Sequence, residues 1–160
     1  MSKKRLYSWD SSVFIAWLIG EETAPLGGID AVADEIDSGA ANLITSVVAY
    51  SEVLSARHSE EQMARFRGFL KRSNVTIAEN TLVIAEKVGQ IRSLCLSQSP
   101  KRKLKTPDAT FIATAIIYKA DVLHSTDPDI LRLNGNPAVE GLRIATPSSL
   151  TGQGTFGFPS

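Results

Sequence analysis

The chain alternates between short apolar runs and stretches with apolar residues at helical spacing. Leu6 to Trp9 predicts a first strand that ends at Asp10. Ser11 and Ser12 then offer N-cap hydroxyls to a helix carrying Val13, Phe14, Ala16, Trp17 and Leu18. Pro25, Gly27 and Gly28 interrupt the pattern. Ile29, Val32, Ala33 and Ile36 resume it at helical spacing, and Ser38-Gly39 closes that segment. Leu43-Ile44 is a second short run, and Thr45-Ser46 caps a helix over about Val47 to Arg57. A further helix covers Glu60 to Lys71, with Met63, Phe66, Phe69 and Leu70 inward.

Val75 and Ile77 predict a third strand. A long helix follows from about Asn80 to Leu96, with Leu82, Ala85, Val88, Ile91, Leu94 and Cys95 expected on its buried face. Residues 97–105 form a polar, basic loop. Thr106-Pro107 opens a strongly apolar helix, since proline's missing N–H costs nothing in a first turn. Val122-Leu123 and Leu142 to Ala145 are the last two strands. Strands alternating with helices predict a three-layer α/β/α domain around a central parallel sheet. The expected division is a folded domain over 1–147 and a peripheral tail over 148–160, rich in Ser, Thr, Gly and Pro.

Composition narrows the classes of function. The 160 residues are 43% hydrophobic and 21% charged, as in an ordinary globular domain. Lys plus Arg and Asp plus Glu each number 17, so the net charge is zero. That balance excludes a generically basic nucleic-acid binder and an acidic disordered chain. Cys95 is the only cysteine, so no internal disulfide forms and a reducing cytoplasm is expected. The apolar stretch Val13 to Ile19 is too short for a membrane span of about 20 residues. It also lacks a signal-peptide cleavage site.

The candidate chemistry lies in the acids. Asp10 and Asp127 follow strands, at the carboxyl edge where parallel α/β sheets place their ligands. Asp108 falls in the first turn of an apolar helix, and Glu52 lies among small and apolar residues. Singly, each has a structural explanation: a helix-dipole partner, a cap or turn, or for Glu52 an ion pair with Arg57. Together they repel one another unless a cation intervenes. Mg²⁺ or Mn²⁺ suits such oxygen donors and can support in-line hydrolysis of a phosphodiester.

Four stretches carry a resemblance: Asp10-Ser11-Ser12-Val13-Phe14-Ile15, Ser51-Glu52-Val53-Leu54, Thr106-Pro107-Asp108-Ala109-Thr110-Phe111-Ile112-Ala113-Thr114-Ala115, and Ser125-Thr126-Asp127-Pro128-Asp129. Over about Leu6 to Pro147 the chain resembles the PIN-domain family. Its order and spacing most resemble the VapC-type ribonuclease toxins of prokaryotic toxin–antitoxin pairs. The resemblance implies a Mg²⁺- or Mn²⁺-dependent endoribonuclease leaving 5′-phosphate and 3′-hydroxyl ends. It makes Asp10, Glu52, Asp108 and Asp127 the catalytic, metal-holding acids, with Asp129 as a less constant addition. Ser12 and Thr126 match hydroxyl positions that support the site. It further implies a homodimer and a small DNA-binding antitoxin as partner. The chain departs from the pattern in the polar first strand around Ser8, in His124 at a usually apolar strand position, and in the long tail. None of these touches the four acids.

The run Lys101, Arg102, Lys103 and Lys105, just before Asp108, is either a solvated loop or a set of RNA-phosphate contacts. Gly152 to Gly157 fits the letters G-x-G-x-x-G but opens no helix, so it is no dinucleotide site. Asn74-Val75-Thr76 fits a glycosylation signal that a cytoplasmic setting leaves unused. His58 and His124 lack ligand-spaced partners, which argues against zinc, and Cys95 reads as core. Three other readings stand beside the toxin: a housekeeping RNA-processing nuclease of the same family, a non-catalytic binding module, and a signalling receiver domain. The last lacks an acidic neighbour beside Asp10.

Overall fold

The computed structural model describes residues 3–22 and 24–150. Among these residues, five strands form one parallel sheet: β1 (Arg5–Trp9), β2 (Ala41–Ser46), β3 (Val75–Ala78), β4 (Val122–His124) and β5 (Ile144–Ala145). The spatial order is β3-β2-β1-β4-β5. Among the described residues, seven α-helices accompany them: α1 (Ser11–Ile19), α2 (Leu26–Asp37), α3 (Val47–Ser55), α4 (Glu60–Leu70), α5 (Leu82–Ser97), α6 (Thr106–Ile117) and the single turn α7 (Pro128–Leu131). The expected α/β architecture with a parallel sheet between helical layers is present.

Alternation along the strands separates two cores. Tyr7, Trp9, Leu43 and Val122 pack with Phe14, Trp17, Phe66 and Phe69 of α1 and α4, and with Ile29, Val32 and Ile36 of α2. That layer is aromatic: Trp9 stacks on Phe69 at 5.9 Å and meets Phe14 edge-on at 5.2 Å. On the other face Leu123 and Ile144 join Ile84, Val88, Ile91, Ala109, Ile112 and Ala113 of α5 and α6 in a mainly aliphatic layer.

Three local readings change. The buried stripe of α5 is Ile84, Val88, Ile91 and Cys95, whereas Leu82, Ala85 and Leu94 face outward, Leu82 at 76% and Leu94 at 50% exposure. Thr81 caps this helix, so positions 82–85 fill its first turn in every direction, and only Ile84 lies on the stripe that continues through 88, 91 and 95. Gly27 and Gly28 do not break the chain but lie inside α2. At Gly28 a Cβ would stand 1.9 Å from the Pro147 carbonyl oxygen, so the glycine admits the returning chain. The last strand is only Ile144–Ala145, preceded by a 3-10 turn at Pro137–Val139.

The stretch after Pro147 begins packed. The Tyr7 hydroxyl accepts from Leu150 N at 2.9 Å and donates to Glu35 Oε2 at 2.9 Å, while Ser149 donates to Glu35. Leu150 is buried in the aromatic core. Residues 151–160, including the G-x-G-x-x-G letters, lie outside the described residues. No described helix is long and apolar enough to cross a membrane.

The strand order fixes where a ligand can sit. From β1 the chain builds one half of the sheet through β2 and β3, then returns to add β4 on the opposite side of β1. Connections leaving β1 and β4 therefore diverge, and a crevice opens beyond their carboxyl ends.

Candidate active site

Asp10 and the Ser125-Thr126-Asp127 turn lie on the two lips of that crevice. β1 ends at Asp10 because its carboxylate caps α1, accepting from Val13 N at 3.2 Å with extended backbone at the cap. Asp10, not the hydroxyls of Ser11 or Ser12, is the N-cap residue of this helix. Ser12 Oγ donates to the same oxygen, Oδ1, at 2.6 Å, and Ser125 Oγ donates to Oδ2 at 2.5 Å. Each hydroxyl also accepts a backbone N–H of the 125–127 turn: Ser12 from Thr126 N across the crevice, and Ser125 from Asp127 N within its own turn, both at 2.9 Å. The two serines thus stitch the lips together through one carboxylate that is 1% exposed.

Burial pushes the Asp10 carboxyl up to about 6, and the nearby charge of Asp127 adds to the rise. The hydrogen bonds from Ser12, Ser125 and Val13 N oppose it, because they favour the charged form. Asp127 caps α7, accepting from Asp129 N at 2.9 Å. Asp129 forms an ion pair with Arg132 at 2.8 Å.

Asp108 sits in the first turn of α6, half-buried, behind Pro107. Its carboxyl is also pushed up to about 6, first by burial and then by Asp127, Glu52 and Asp129; Lys105 pulls it down. Glu52 projects from α3 and accepts from Ser11 Oγ at 3.0 Å, so its partner is this serine and not Arg57. Glu52 of α3 and Asp127 and Asp129 of the α7 turn are therefore within electrostatic reach of Asp108, and Asp127 also of Asp10.

The basic run borders this acidic group. Lys101, Arg102, Lys103 and Lys105 line a cleft of about 270 Å³ together with Asp108, Asp129 and Arg132. The loop is anchored from below: Arg102 N donates to Cys95 O at 3.0 Å, and Arg92 Nε donates to Leu104 O at 2.9 Å.

Of the expected supporting hydroxyls, Ser12 does reach Asp10, but Thr126 contributes its backbone N–H. The hydroxyl on Asp10 from that turn belongs to Ser125, which the sequence reading passed over. Ser11 and Arg132 were missed as well. Ser11 has a sequence signal, since it stands beside Asp10, whereas the role of Arg132 depends on the turn of α7. His124 is a core residue, fully buried and stacked on Tyr7 at 5.3 Å, with Nδ1 accepting from Trp9 Nε1 at 3.3 Å. Burial holds its imidazole down at about 4, so it is neutral near pH 7.

The donor set offers a divalent cation an open site and not a closed cage. Among the described residues, no group of three or more His, Cys, Asp or Glu side chains is placed to close on one ion. Mg²⁺, however, is ordinarily held by one or two carboxylates, several waters and substrate phosphate, not by a complete protein cage. Acids crowded enough to raise one another's proton affinity, in a crevice with an open side, fit that mode of binding.

Comparison with known proteins agrees with this geometry. The PIN domain family model matches residues 7–136. No curated protein sequence matches. A chain of the DNA-bound VapBC2 complex of Rickettsia felis is similar in fold at TM-score 0.62 and 14% identity, covering 88% of this chain and 98% of that one. A chain of the DNA-bound VapBC complex of Salmonella typhimurium gives 0.62 and 18%, with 89% and 98% covered. A chain of a toxin–antitoxin complex from Klebsiella pneumoniae gives 0.60 and 21%, with 90% and 99% covered. With its sheet order, its acids at the switch point and a family match over most of its length, the chain belongs to the PIN-domain family.

Proposed function

We propose that this protein is a Mg²⁺- or Mn²⁺-dependent endoribonuclease, the VapC-type toxin of a toxin–antitoxin pair. The observation that carries the reading is the state of Asp108. Its carboxyl feels Asp127, Glu52 and Asp129 at once, an arrangement whose mutual repulsion a bound cation relieves. Asp10, Glu52, Asp108 and Asp127 would hold the cation, directly or through water, with Asp129 beside them. When bound, it supplies Lewis-acid stabilisation of the phosphoryl oxygens and lowers the pKa of a water.

The protein's own groups do the rest. Ser12 and Ser125 fix both oxygens of Asp10, so this carboxylate keeps one orientation through the reaction. Ser11 does the same for Glu52. Lys101, Arg102, Lys103 and Lys105 hold flanking phosphates of the RNA along the cleft edge. Removing the charge of the candidate metal-holding acids from the total leaves the remaining surface net positive, so zero net charge is compatible with a polyanionic substrate.

The fold neighbours are complexes of toxins with antitoxins, which supports a small DNA-binding antitoxin as partner. Exposed apolar side chains on α3 and α5 (Val47, Leu54, Leu82, Val83 and Leu94) support a homodimer. A cytoplasmic location goes with this reading. The test is cleavage of single-stranded RNA by the purified chain. Activity is expected with Mg²⁺ or Mn²⁺, none with excess chelator, and products with 5′-phosphate and 3′-hydroxyl ends. Metal binding without cleavage across varied RNAs favours the binding-module reading instead. A gene for a small DNA-binding protein immediately upstream separates the toxin from a housekeeping nuclease.

A further inference from the structure

A second hollow lies behind the basic loop. It has a volume of about 420 Å³ and is lined by Arg92, Leu96, Lys103, Leu104 and Lys105. Lys103, Leu104 and Lys105 also line the cleft that carries Asp108 and Asp129. This three-residue segment is therefore a wall shared by the two, with acids on one side and an acid-free hollow on the other.

We propose that this hollow is a nucleobase subsite for single-stranded RNA, taking a base outside the scissile position. The proposal rests on the nuclease reading and extends it to substrate recognition. Leu96 is 44% exposed and, with Leu104, gives the hollow an apolar wall. Arg92 stands on the same helix, one turn earlier, and its Nε–H is engaged by the Leu104 carbonyl at 2.9 Å. That bond ties the guanidinium to the loop, and because Arg92 is exposed its planar group is accessible to a stacking base. Lys103 and Lys105 supply positive charge to the phosphates on either side of a base seated there. Apolar wall, oriented planar cation and flanking ammonium groups are what an unstacked base and its backbone require. A duplex cannot use the hollow, because its bases are already stacked and paired. The strand would cross the wall at 103–105, with its scissile phosphate on the acidic side and the recognised base on the other.

The experiment uses the full chain and single-stranded RNA oligonucleotides in which one abasic residue is moved along the sequence. Affinity is measured with chelator present, and cleavage with Mn²⁺. One abasic position is expected to weaken binding by roughly tenfold, in line with the loss of one stacked base. In Leu96→Ala and in Arg92→Lys, binding of intact RNA should fall by a similar factor, and the same abasic position should add nothing further. Leu96 is exposed, so Leu96→Ala leaves the fold in place, and thermal unfolding checks this. If both variants bind and cleave intact RNA like the wild type, or the abasic penalty persists unchanged in them, the subsite is overturned while the nuclease stands. RNA binding without cleavage by the wild type defeats the nuclease reading alone, because the chelated binding measurement still decides the subsite. No binding to any single-stranded RNA overturns both.

Discussion

Burial pushes the carboxyls of both Asp10 and Asp108 up to about 6, but their other surroundings act in opposite directions. Asp10 is enclosed at the end of β1 and held by three donors from its own helix and the opposite turn. Its hydrogen bonds work against its burial. Asp108 is half-buried at the start of α6, and after burial its largest influences are other acids. Burial leads in both; a hydrogen-bonded scaffold tempers it at Asp10, and neighbouring acids add to it at Asp108. The first is built to stay in place, and the second is built to respond to whatever cation or phosphate enters the crevice.

The largest expected effect comes from removing either charge. Asp10→Asn and Asp108→Asn should each lower metal-dependent cleavage on the order of 10³-fold, the several kcal/mol such an ion supplies. Circular dichroism should show both folded. Full activity in either variant removes that residue from the site.

A cation should stabilise the protein through the same acids. Saturating Mn²⁺ at about a hundred times its Kd is worth about 2.7 kcal/mol, or a rise in Tm of about 5–10 °C at pH 7.5. The rise should shrink at pH 5, where both carboxyls hold protons that the cation must displace. Without metal, each acid binds its proton more tightly in the folded chain than its ordinary value of 3.8 allows in the unfolded one. Their contribution to stability therefore improves as pH falls from about 6 towards 3.8. His124 acts in the opposite sense. Its imidazole is depressed from 6.5 to about 4, so the stability it contributes is lost as pH falls through that window. A metal-induced rise in Tm that is equal at both pH values contradicts the assignment of these acids.

Ser125→Ala and Lys105→Gln separate the two surroundings. Ser125→Ala removes the donor to Asp10 Oδ2 and the acceptor for Asp127 N, and should cost about 1.5–3 kcal/mol in urea unfolding. Lys105→Gln should change stability by less than about 0.5 kcal/mol, since Lys105 is exposed. It withdraws the cation that lowers Asp108, so the acid limb of the cleavage profile should move to higher pH. Equal losses of stability in the two variants erase the distinction. The smallest effect is expected along the basic loop. Replacing Lys101, Arg102 and Lys103 with Gln should flatten the salt dependence of RNA binding by up to about 2 in log–log slope, at about 0.7 per phosphate contact.

Much of this site is legible in one dimension because its parts are tied to element ends. Asp10 ends a strand, Asp108 starts a helix behind a proline, and Asp127 caps the turn after β4; local rules place such residues. The stripe of α5 is less legible, since an apolar first turn offers several faces and only packing against α6 selects Ile84. Ser125 is the clearest omission. Beside Thr126 it is one of two adjacent hydroxyls, and the pleat of β4 and the turn after it decide which one reaches across to Asp10.

The sequence alone therefore determined the layers, the parallel sheet and the placing of candidate acids at element ends, because periodicity and capping are local properties of the chain. Only the tertiary structure decided that Ser125 grips Asp10, that Gly28 makes room for Pro147, and that the basic loop has two sides. Each of these joins groups far apart in the chain or on opposite sides of one loop, and their meeting is set by sheet order and packing, which no local pattern encodes.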